Sequence, residues 1–314
     1  MTRRALLLLA ACLMILAGAA CGKPHGGAQT AGKSVREPVG QSGNRPVSWA
    51  DARGAAPDAA RAQAREDVPG RLVDVSPRPG VTVRFLYLPG PDKAPVAVTF
   101  AGGDGQLHLG QVREGYTGTA LGRNFLIRTR QMFLDQGIGV VIVDAPTDRP
   151  NGMEASYRFS PAHAADIAAV VDWLRANAAG APVWLAGTSM GTVSALRGAA
   201  SLGPAVAGVV ISSVILKSTK RMDTFTTHPD GARDMDLSGV TAPVLVVSHK
   251  GDACPATPPD RVWLLARKLK NCTTLEVRGG LPPEGGPCEA LAAHGFYGVE
   301  AEAVGAMCAF IKAH

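Results

Sequence analysis

From about residue 70 onward, short apolar runs alternate with longer stretches whose apolar positions recur at helical spacing. The short runs end in Gly, Pro, Asp or Ser, which is typical of buried strands followed by turns. The clearest helical stretch begins at Ser160-Pro161, where serine can cap the helix and proline suits the first turn. Its residues Ile167, Val170 and Leu174 fall on one stripe, as in a helix packed on a sheet. Strands are predicted at 71–75, 82–88, 95–100, 139–143, 182–186, 205–212, 243–248 and 273–277, with helices at 124–136, from 160, at 192–202 and at the C-terminus.

The alternation of strand and helix predicts an α/β protein with a mostly parallel central sheet and helices on both faces. Strand 139–143 is apolar throughout, as expected where both faces of a sheet are covered. The chain has 314 residues, 46% of them hydrophobic, which is enough for one large core. Segment 213–242 has room for a small lid at most, or for a cover over the edge of the sheet.

The sequence Gly-Thr-Ser-Met-Gly at 187–191 joins the strand at 182–186 to the helix at 192–202. It has the pattern G-x-S-x-G, in which a sharp strand-to-helix turn holds a serine with its hydroxyl exposed. The glycines leave space that side chains would fill at such a turn. The pattern alone is weak in a glycine-rich chain, and its position between strand and helix makes Ser189 the candidate nucleophile.

Two further residues suited to serine hydrolysis follow at the ends of later strands. Asp252 lies on the loop after the strand at 243–248, and His294 lies on the connection before the last helix. In this chain order the histidine can take the serine proton while the carboxylate orients the imidazole. Asp236 is the alternative acid, because some hydrolases place the acid after an earlier strand.

With these three motifs, the chain resembles the α/β-hydrolases over about residues 70–314. The resemblance implies the α/β-hydrolase fold, with a small lid at most, and a catalytic triad of Ser189, Asp252 and His294. It also implies a carboxylesterase-like enzyme that cleaves an ester, or a related acyl compound, through an acyl-enzyme on Ser189. The alternative is a catalytically silent α/β-hydrolase that serves as a binding or scaffold protein of the cell envelope.

The resemblance further implies an oxyanion hole made of two backbone N–H groups, one of them that of Met190. The other donor is expected just after the strand at 95–100, where many esterases have His-Gly-Gly and this chain has Ala-Gly-Gly. Gly103 is the favoured donor, and Gly102 and Asp104 are its alternatives.

The N-terminus indicates export. Residues 1–20 combine two arginines with an apolar stretch too short to span a bilayer, as in a secretory signal peptide. Lipidation of Cys21 after cleavage would give an outer-membrane-anchored or periplasmic lipoprotein, although Gly18 stands where a lipobox usually has leucine. Ordinary cleavage nearby would release a periplasmic or secreted protein. Residues 21–69 have the composition of a flexible tether, followed by the hydrolase domain at 70–314.

Four cysteines of the hydrolase domain allow three disulfide pairings, and export favours their oxidation. Cys254 closely follows the candidate acid, and Cys288 shortly precedes the candidate base. A bridge between them would join the two loops of the triad, and Cys272 would then pair with Cys308. The alternative is that one or both pairs remain buried thiols.

Other functions find little support in the sequence. The formal net charge of +6 is spread over the chain without a Lys/Arg run, so no nucleic-acid partner is expected. His249, Asp252 and Cys254 lie close together, but their spacing is not that of a zinc site, and neither a metal nor a cofactor is expected. The expected partners are a small-molecule acyl substrate and, if Cys21 is lipidated, a membrane. Nothing in the sequence indicates the oligomeric state.

Overall fold

A computed structural model of the chain describes residues 70–109, 123–178 and 180–314. The signal peptide expected at 1–20, the tether expected at 21–69 and the lipidation site Cys21 lie outside the described residues. The strands are β1 (Arg71–Arg78), β2 (Val81–Leu88), β3 (Val96–Phe100), β4 (Gly139–Val143), β5 (Val183–Thr188), β6 (Gly208–Ser212), β7 (Val244–His249) and β8 (Cys272–Val277); the α-helices are α1 (Phe125–Arg128), α2 (Arg130–Asp135), α3 (Ala155–Phe159), α4 (Pro161–Asn177), α5 (Gly191–Leu202), α6 (Val262–Ala266) and α7 (Glu300–Ala313).

These strands form one eight-stranded sheet in the order β1-β2-β4-β3-β5-β6-β7-β8. β2 pairs antiparallel with both β1 and β4, and all other pairs are parallel. The predicted mostly parallel sheet is therefore confirmed, and every predicted strand is present within a few residues. Parallel order brings the carboxyl ends of β3, β5, β6, β7 and β8 to the same edge of the sheet.

The sheet carries a hydrophobic core on each face. Along β5, Val183 and Leu185 belong to one core, and Trp184 and Ala186 belong to the other. This alternation follows from the two-residue period of a strand, and it requires apolar residues at every position when both faces are covered. Helices α4, α5 and α6 contribute to the first core, and α1, α2 and α7 contribute to the second.

One local prediction needs correction, and one alternative left open by the sequence is decided. The helix expected over 124–136 is two short helices, because the chain leaves helical geometry at Thr129, whose hydroxyl donates to the carbonyl oxygen of Phe125 at 2.7 Å. Segment 213–242 forms only a 3-10 helix at Gly231–Asp234, and many of its apolar side chains are buried in the first core. It therefore covers the sheet and does not form a separate helical lid. No helix among the described residues has the length and apolar composition needed to cross a bilayer.

Candidate active site

Ser189 lies on a tight turn between β5 and α5 and has a left-handed backbone conformation, with φ of 53°. Such a conformation is strained for a non-glycine residue and is maintained here by close packing. A Cβ atom on Gly187 would lie 2.3 Å from the carbonyl oxygen of Gly191, and one on Gly191 would lie 2.0 Å from that of Phe100. Both glycines are therefore sterically required. The turn leaves Ser189 partly exposed at the carboxyl end of the sheet.

The structure brings the candidate base and acid together. Nδ1 of His294 is 3.1 Å from Oδ2 of Asp252, and the two side chains are only 6% and 1% exposed. His294 and Ser189 line the same cleft. Among the described residues no hydrogen bond to the Ser189 hydroxyl is formed, and catalytic hydrogen bonds are often long without substrate. The three residues predicted from sequence thus meet at one edge of the sheet.

Two hydroxyl groups that sequence reasoning missed support this pair. The Thr257 hydroxyl donates to Oδ2 of Asp252 at 2.8 Å and lies 3.2 Å from Nδ1 of His294. The Ser213 hydroxyl donates to the carbonyl oxygen of His294 at 2.7 Å, so it holds the backbone of the histidine loop. Oδ1 of Asp252 accepts from the N–H of Cys254 at 3.0 Å, so both carboxylate oxygens have donors. The sequence carries no pattern that marks Thr257 or Ser213.

The glycine run after β3 lies against the serine. A Cβ atom on Gly102 would lie 3.0 Å from Cβ of Ser189, and Gly103 has a positive φ of 62°. Met190 follows the serine at the start of α5, so its N–H and those of the glycine run are on neighbouring segments. The carboxylate of Asp104, an exposed residue, accepts from the N–H of Gln106 at 3.0 Å. The carboxylate is therefore bonded within its own loop, and Asp104 also lies in the wall of a neighbouring cleft.

A buried arginine that sequence reasoning also missed lies beneath this loop. Nη2 of Arg158 donates to the carbonyl oxygens of Gly103 at 3.0 Å and Ala101 at 3.3 Å. Its Nη1 donates to the Ser194 hydroxyl on α5 at 2.7 Å. Burial lowers the pKa of Arg158 to about 10, an effect that the nearby Asp104 carboxylate opposes, so the guanidinium is charged at neutral pH.

Further polar residues continue from the Ser194 hydroxyl, which is 2.8 Å from Nε2 of His163. Burial lowers the pKa of His163, so its imidazole is neutral at pH 7. Beyond it, Asp166 accepts from the Tyr157 hydroxyl and from Arg78. Burial raises the pKa of Asp166, but its interactions with His163, Tyr157 and Arg78 outweigh this effect and hold the pKa below its ordinary value. This hydrogen-bond network therefore has the charged guanidinium of Arg158 at one end, under the glycine run, and the ionised carboxylate of Asp166 at the other.

Two clefts of about 320 and 290 Å³ have Gly103 in common. The larger one contains the serine and histidine and is bordered by Phe125, Arg123 and Glu289. The smaller one is lined mainly by Met153, Met190, Met222, Ala155 and Asp104, with Glu154, Arg221 and Asp223 also in its wall. The site therefore offers space on both sides of the glycine run, one side near the histidine and the other rich in methionine.

Of the two expected disulfides, the structure contains one. Cys254 is joined to Cys288, which ties the loop of the acid to a wall of the larger cleft. The expected bridge between Cys272 and Cys308 is not formed, because Cys272 lies in the core on one face of the sheet and Cys308 in the core on the other. Burial raises the pKa of both thiols to about 12, so they are protonated and unreactive at neutral pH.

The alternative acid and the metal-like cluster lie in different settings. Asp236 is exposed, and its carboxylate accepts from the N–H of Ser238, which lowers the pKa of Asp236. It borders neither cleft. Nε2 of His249 is 3.1 Å from the carbonyl oxygen of Gly279, so the ring stabilises a loop. Within the described residues, no group of three potential metal ligands is found.

Several solved structures are similar to this chain. Est1E from Butyrivibrio proteoclasticus superposes with a TM-score of 0.54 at 16% identity, over 78% of this chain and 100% of its own. DcsB, solved as a complex with its substrate analogue, gives a TM-score of 0.57 at 17% identity, over 78% and 99%. The α/β-hydrolase GrgF from Penicillium sp. sh18 gives 0.56 at 14% identity, over 78% and 99%. Est1E has also been solved with ferulic acid bound.

At these identities the likeness concerns the fold. No family model and no curated protein matches the chain. The likeness covers nearly the whole of each solved chain, and it includes about three quarters of this one. The chain therefore has the α/β-hydrolase fold.

Proposed function

We propose that the protein is a serine hydrolase that cleaves a carboxylic ester through an acyl-enzyme on Ser189. The observation that carries the proposal is the convergence of three elements at one sheet edge. A strained serine turn, a buried His294–Asp252 pair at 3.1 Å and a glycine loop against the serine all border one cleft. A binding protein of this fold would not need a serine, a His–Asp pair and a glycine loop arranged around one cleft.

In the proposed reaction, the Ser189 hydroxyl attacks the acyl carbonyl carbon while His294 takes its proton. The oxygen of the tetrahedral intermediate is bound by the N–H groups of Gly103 and Met190. The imidazolium, stabilised by Asp252, then gives the proton to the leaving alcohol. Water repeats the sequence on the acyl-enzyme, which releases the acid and regenerates the serine.

The clefts favour a small ester with a compact group on each side of its carbonyl. Their volumes of about 290 and 320 Å³ lie at the low end for small-molecule sites. Methionine side chains adapt to varied apolar shapes, so the cleft with Met153 and Met222 suits an acyl chain or an aromatic acyl group. Because Est1E binds ferulic acid, hydroxycinnamoyl esters belong in the substrate screen beside short aliphatic esters.

The first experiment is active-site labelling of the purified protein with a fluorophosphonate, read by intact mass. The wild type should gain one adduct, and Ser189→Ala should gain none. The matched control is Ser156→Ala, an exposed serine next to the wall of the smaller cleft, which should keep the adduct. His294→Ala should fold, as judged by circular dichroism, but label at a greatly reduced rate.

The outcomes separate the two functional hypotheses. An adduct that depends on Ser189, with turnover of p-nitrophenyl acetate, supports the hydrolase. A folded wild type without adduct or turnover contradicts it and favours a silent binding protein. An adduct that persists in Ser189→Ala would show that another residue is the nucleophile.

We also propose that the enzyme acts in the cell envelope, anchored through lipidated Cys21. The support is the signal-like residues 1–20 and the cysteine that follows them. Expression with its own N-terminus should give a detergent-phase protein with an N-terminal mass that includes lipid. Cys21→Ser should move the protein to the aqueous phase, and partition unaffected by this change would contradict lipidation.

A further inference from the structure

We propose that Arg158 is a positioning residue that sets the oxyanion loop, residues 101–105, relative to the helix that begins at Met190. This inference rests on the proposed function, because an oxyanion hole is needed only if the serine attacks an acyl carbonyl. The two candidate donors belong to different segments of the chain, Gly103 after β3 and Met190 at the start of α5. One guanidinium contacts both segments, since it donates to the loop carbonyls and to Ser194 on α5.

The loop needs an anchor because of its composition. Gly102 and Gly103 have no side chains, and glycine has the largest backbone freedom of all residues. Arg158 holds the carbonyl oxygens of Ala101 and Gly103, at 3.3 and 3.0 Å. Those carbonyls belong to the peptide units on either side of the Gly102–Gly103 unit. With both neighbours held, the middle unit, which carries the N–H of Gly103, has little freedom to rotate.

The guanidinium also fixes how far the loop lies from the helix. It is planar and rigid, so bonds from Nη1 to Ser194 and from Nη2 to the loop are made in one fixed geometry. Ser194 is itself held by Nε2 of His163 at 2.8 Å. At the far end of the loop, a Cβ atom on Gly105 would lie 2.5 Å from Nη2 of Arg158, so the guanidinium fills the space beneath the loop.

Burial distinguishes this arginine from a structural ion pair. Arg158 is completely buried, and its hydrogen-bond partners are two carbonyls and a hydroxyl. Arg78, by contrast, is paired with the carboxylates of Asp148 and Asp166. Methionine can fill the space of the guanidinium, but it leaves two carbonyls and a hydroxyl without their donor, so the variant loses some stability and its folding is verified by circular dichroism. Once shown to fold, Arg158→Met tests positioning, and Arg84→Met, at a surface pair with Asp74, is the same chemical change outside the loop and its network.

The test compares steady-state hydrolysis of p-nitrophenyl acetate by the full chain and its variants. Arg158→Met should lower kcat about 100-fold, the loss expected when an oxyanion donor is removed or misplaced, with KM nearly unchanged. The affinity for a trifluoromethyl ketone, which mimics the tetrahedral intermediate, should fall by a similar factor. Arg158→Lys keeps the positive charge but loses the planar guanidinium with its several donors, so its kcat should lie between those of wild type and Arg158→Met. Arg84→Met should keep kcat close to wild type.

Hydrogen exchange provides a readout that does not depend on activity. In Arg158→Met, the amides of 101–105 should exchange faster while those of α4 keep their rates, and Arg84→Met should leave the loop unchanged. If Arg158→Met does not fold, Ser194→Ala removes the link from Arg158 to α5, together with the bond between Ser194 and His163, and leaves the bonds from Arg158 to the loop in place. It should then lower kcat and the affinity for the ketone together.

Each result bears on the inference. Unchanged kcat and unchanged loop exchange in Arg158→Met, with an active wild type, overturn it. So does a loss confined to KM, which would indicate weaker substrate binding only, or an equal loss in Arg84→Met, which would indicate that the change of side chain itself is responsible. A wild type that neither labels with the fluorophosphonate nor hydrolyses the ester overturns the proposed function and, with it, the catalytic role of the loop. Faster loop exchange in Arg158→Met would still establish the anchor in that case.

Discussion

Replacing Asp252 by asparagine tests whether the buried carboxylate orients the candidate catalytic histidine. Oδ1 accepts from the N–H of Cys254 at 3.0 Å, and Oδ2 accepts from Thr257 at 2.8 Å and faces Nδ1 of His294 at 3.1 Å. An asparagine amide has only one acceptor oxygen. If its NH₂ group faces His294, Nδ1 must accept a hydrogen bond, and the imidazole then carries its proton on Nε2, so that this nitrogen cannot take the serine proton. If the NH₂ group faces Cys254, it meets the backbone N–H of that residue, which is also a donor.

The magnitude follows from burial and from the role of the acid. Both side chains are almost fully buried, so water cannot restore the lost orientation. The same isosteric change in a Ser-His-Asp triad lowers kcat about 10⁴-fold, which corresponds to about 5.4 kcal/mol of transition-state stabilisation. We expect a loss of that order in Asp252→Asn, with KM for p-nitrophenyl acetate nearly unchanged. Thr257→Val, which removes one donor to the carboxylate, should lose only about 10-fold or somewhat more.

The assay is steady-state hydrolysis beside the rate of fluorophosphonate labelling, with circular dichroism to verify folding. The matched control is Asp236→Asn, the same change at an exposed carboxylate that borders neither cleft. Asp252→Asn with kcat close to wild type would refute the reasoning, because His294 would then be oriented without the carboxylate. A large loss in Asp236→Asn instead would assign the acid to that residue.

Three further predictions concern stability. Removing the disulfide in Cys254→Ser/Cys288→Ser should lower the free energy of unfolding by about 2–4 kcal/mol, since the bridge spans a sequence separation of 34; equal denaturant midpoints would contradict this. Gly191→Ala should destabilise strongly because its Cβ would lie 2.0 Å from a carbonyl oxygen, whereas Gly305→Ala, in open space, should stabilise α7 by about 0.5–1 kcal/mol in urea denaturation. The neutral, buried His163 takes up its proton more readily in the unfolded chain, so stability should fall as pH drops below about 6.5, by at most about 1.4 kcal/mol per pH unit; a His163→Gln variant with the same slope would contradict the assignment.

The central strands were predictable because burial on both faces favours apolar residues at nearly every position, whereas the edge strands β1 and β8 also carry exposed polar residues. β4 agrees with the prediction at both ends, and other strands, such as β5, differ only at their ends. The break at Thr129 was not predictable, because apolar periodicity continues across it and no residue pattern marks the change of backbone conformation there, to φ of −95° and ψ of 5°. Local pattern thus indicates which residues are buried, but not where the backbone leaves helical geometry.

The candidate triad was found because the G-x-S-x-G motif and the order of the acid and the base along the chain can be read directly from the sequence. The failed pairing of Cys272 with Cys308 shows the limit of that approach. Nearness along the chain guided the first bridge, but the second depends on which face of the sheet each side chain occupies. Cys272 and Cys308 face opposite cores, and no spacing rule separates the two cases.

Arg158 illustrates why supporting residues escape sequence analysis. It lies on a five-residue helix, and its partners come from the loop after β3 and from α5. Burying a guanidinium without a carboxylate is unfavourable, because desolvation disfavours the charged form. An apolar side chain could fill the same space without that penalty, but it could not hold two carbonyls of a glycine loop at a fixed distance from Ser194. The unfavourable burial is therefore offset by the order that the arginine imposes on the loop, and this order is what the exchange and kinetic experiments measure.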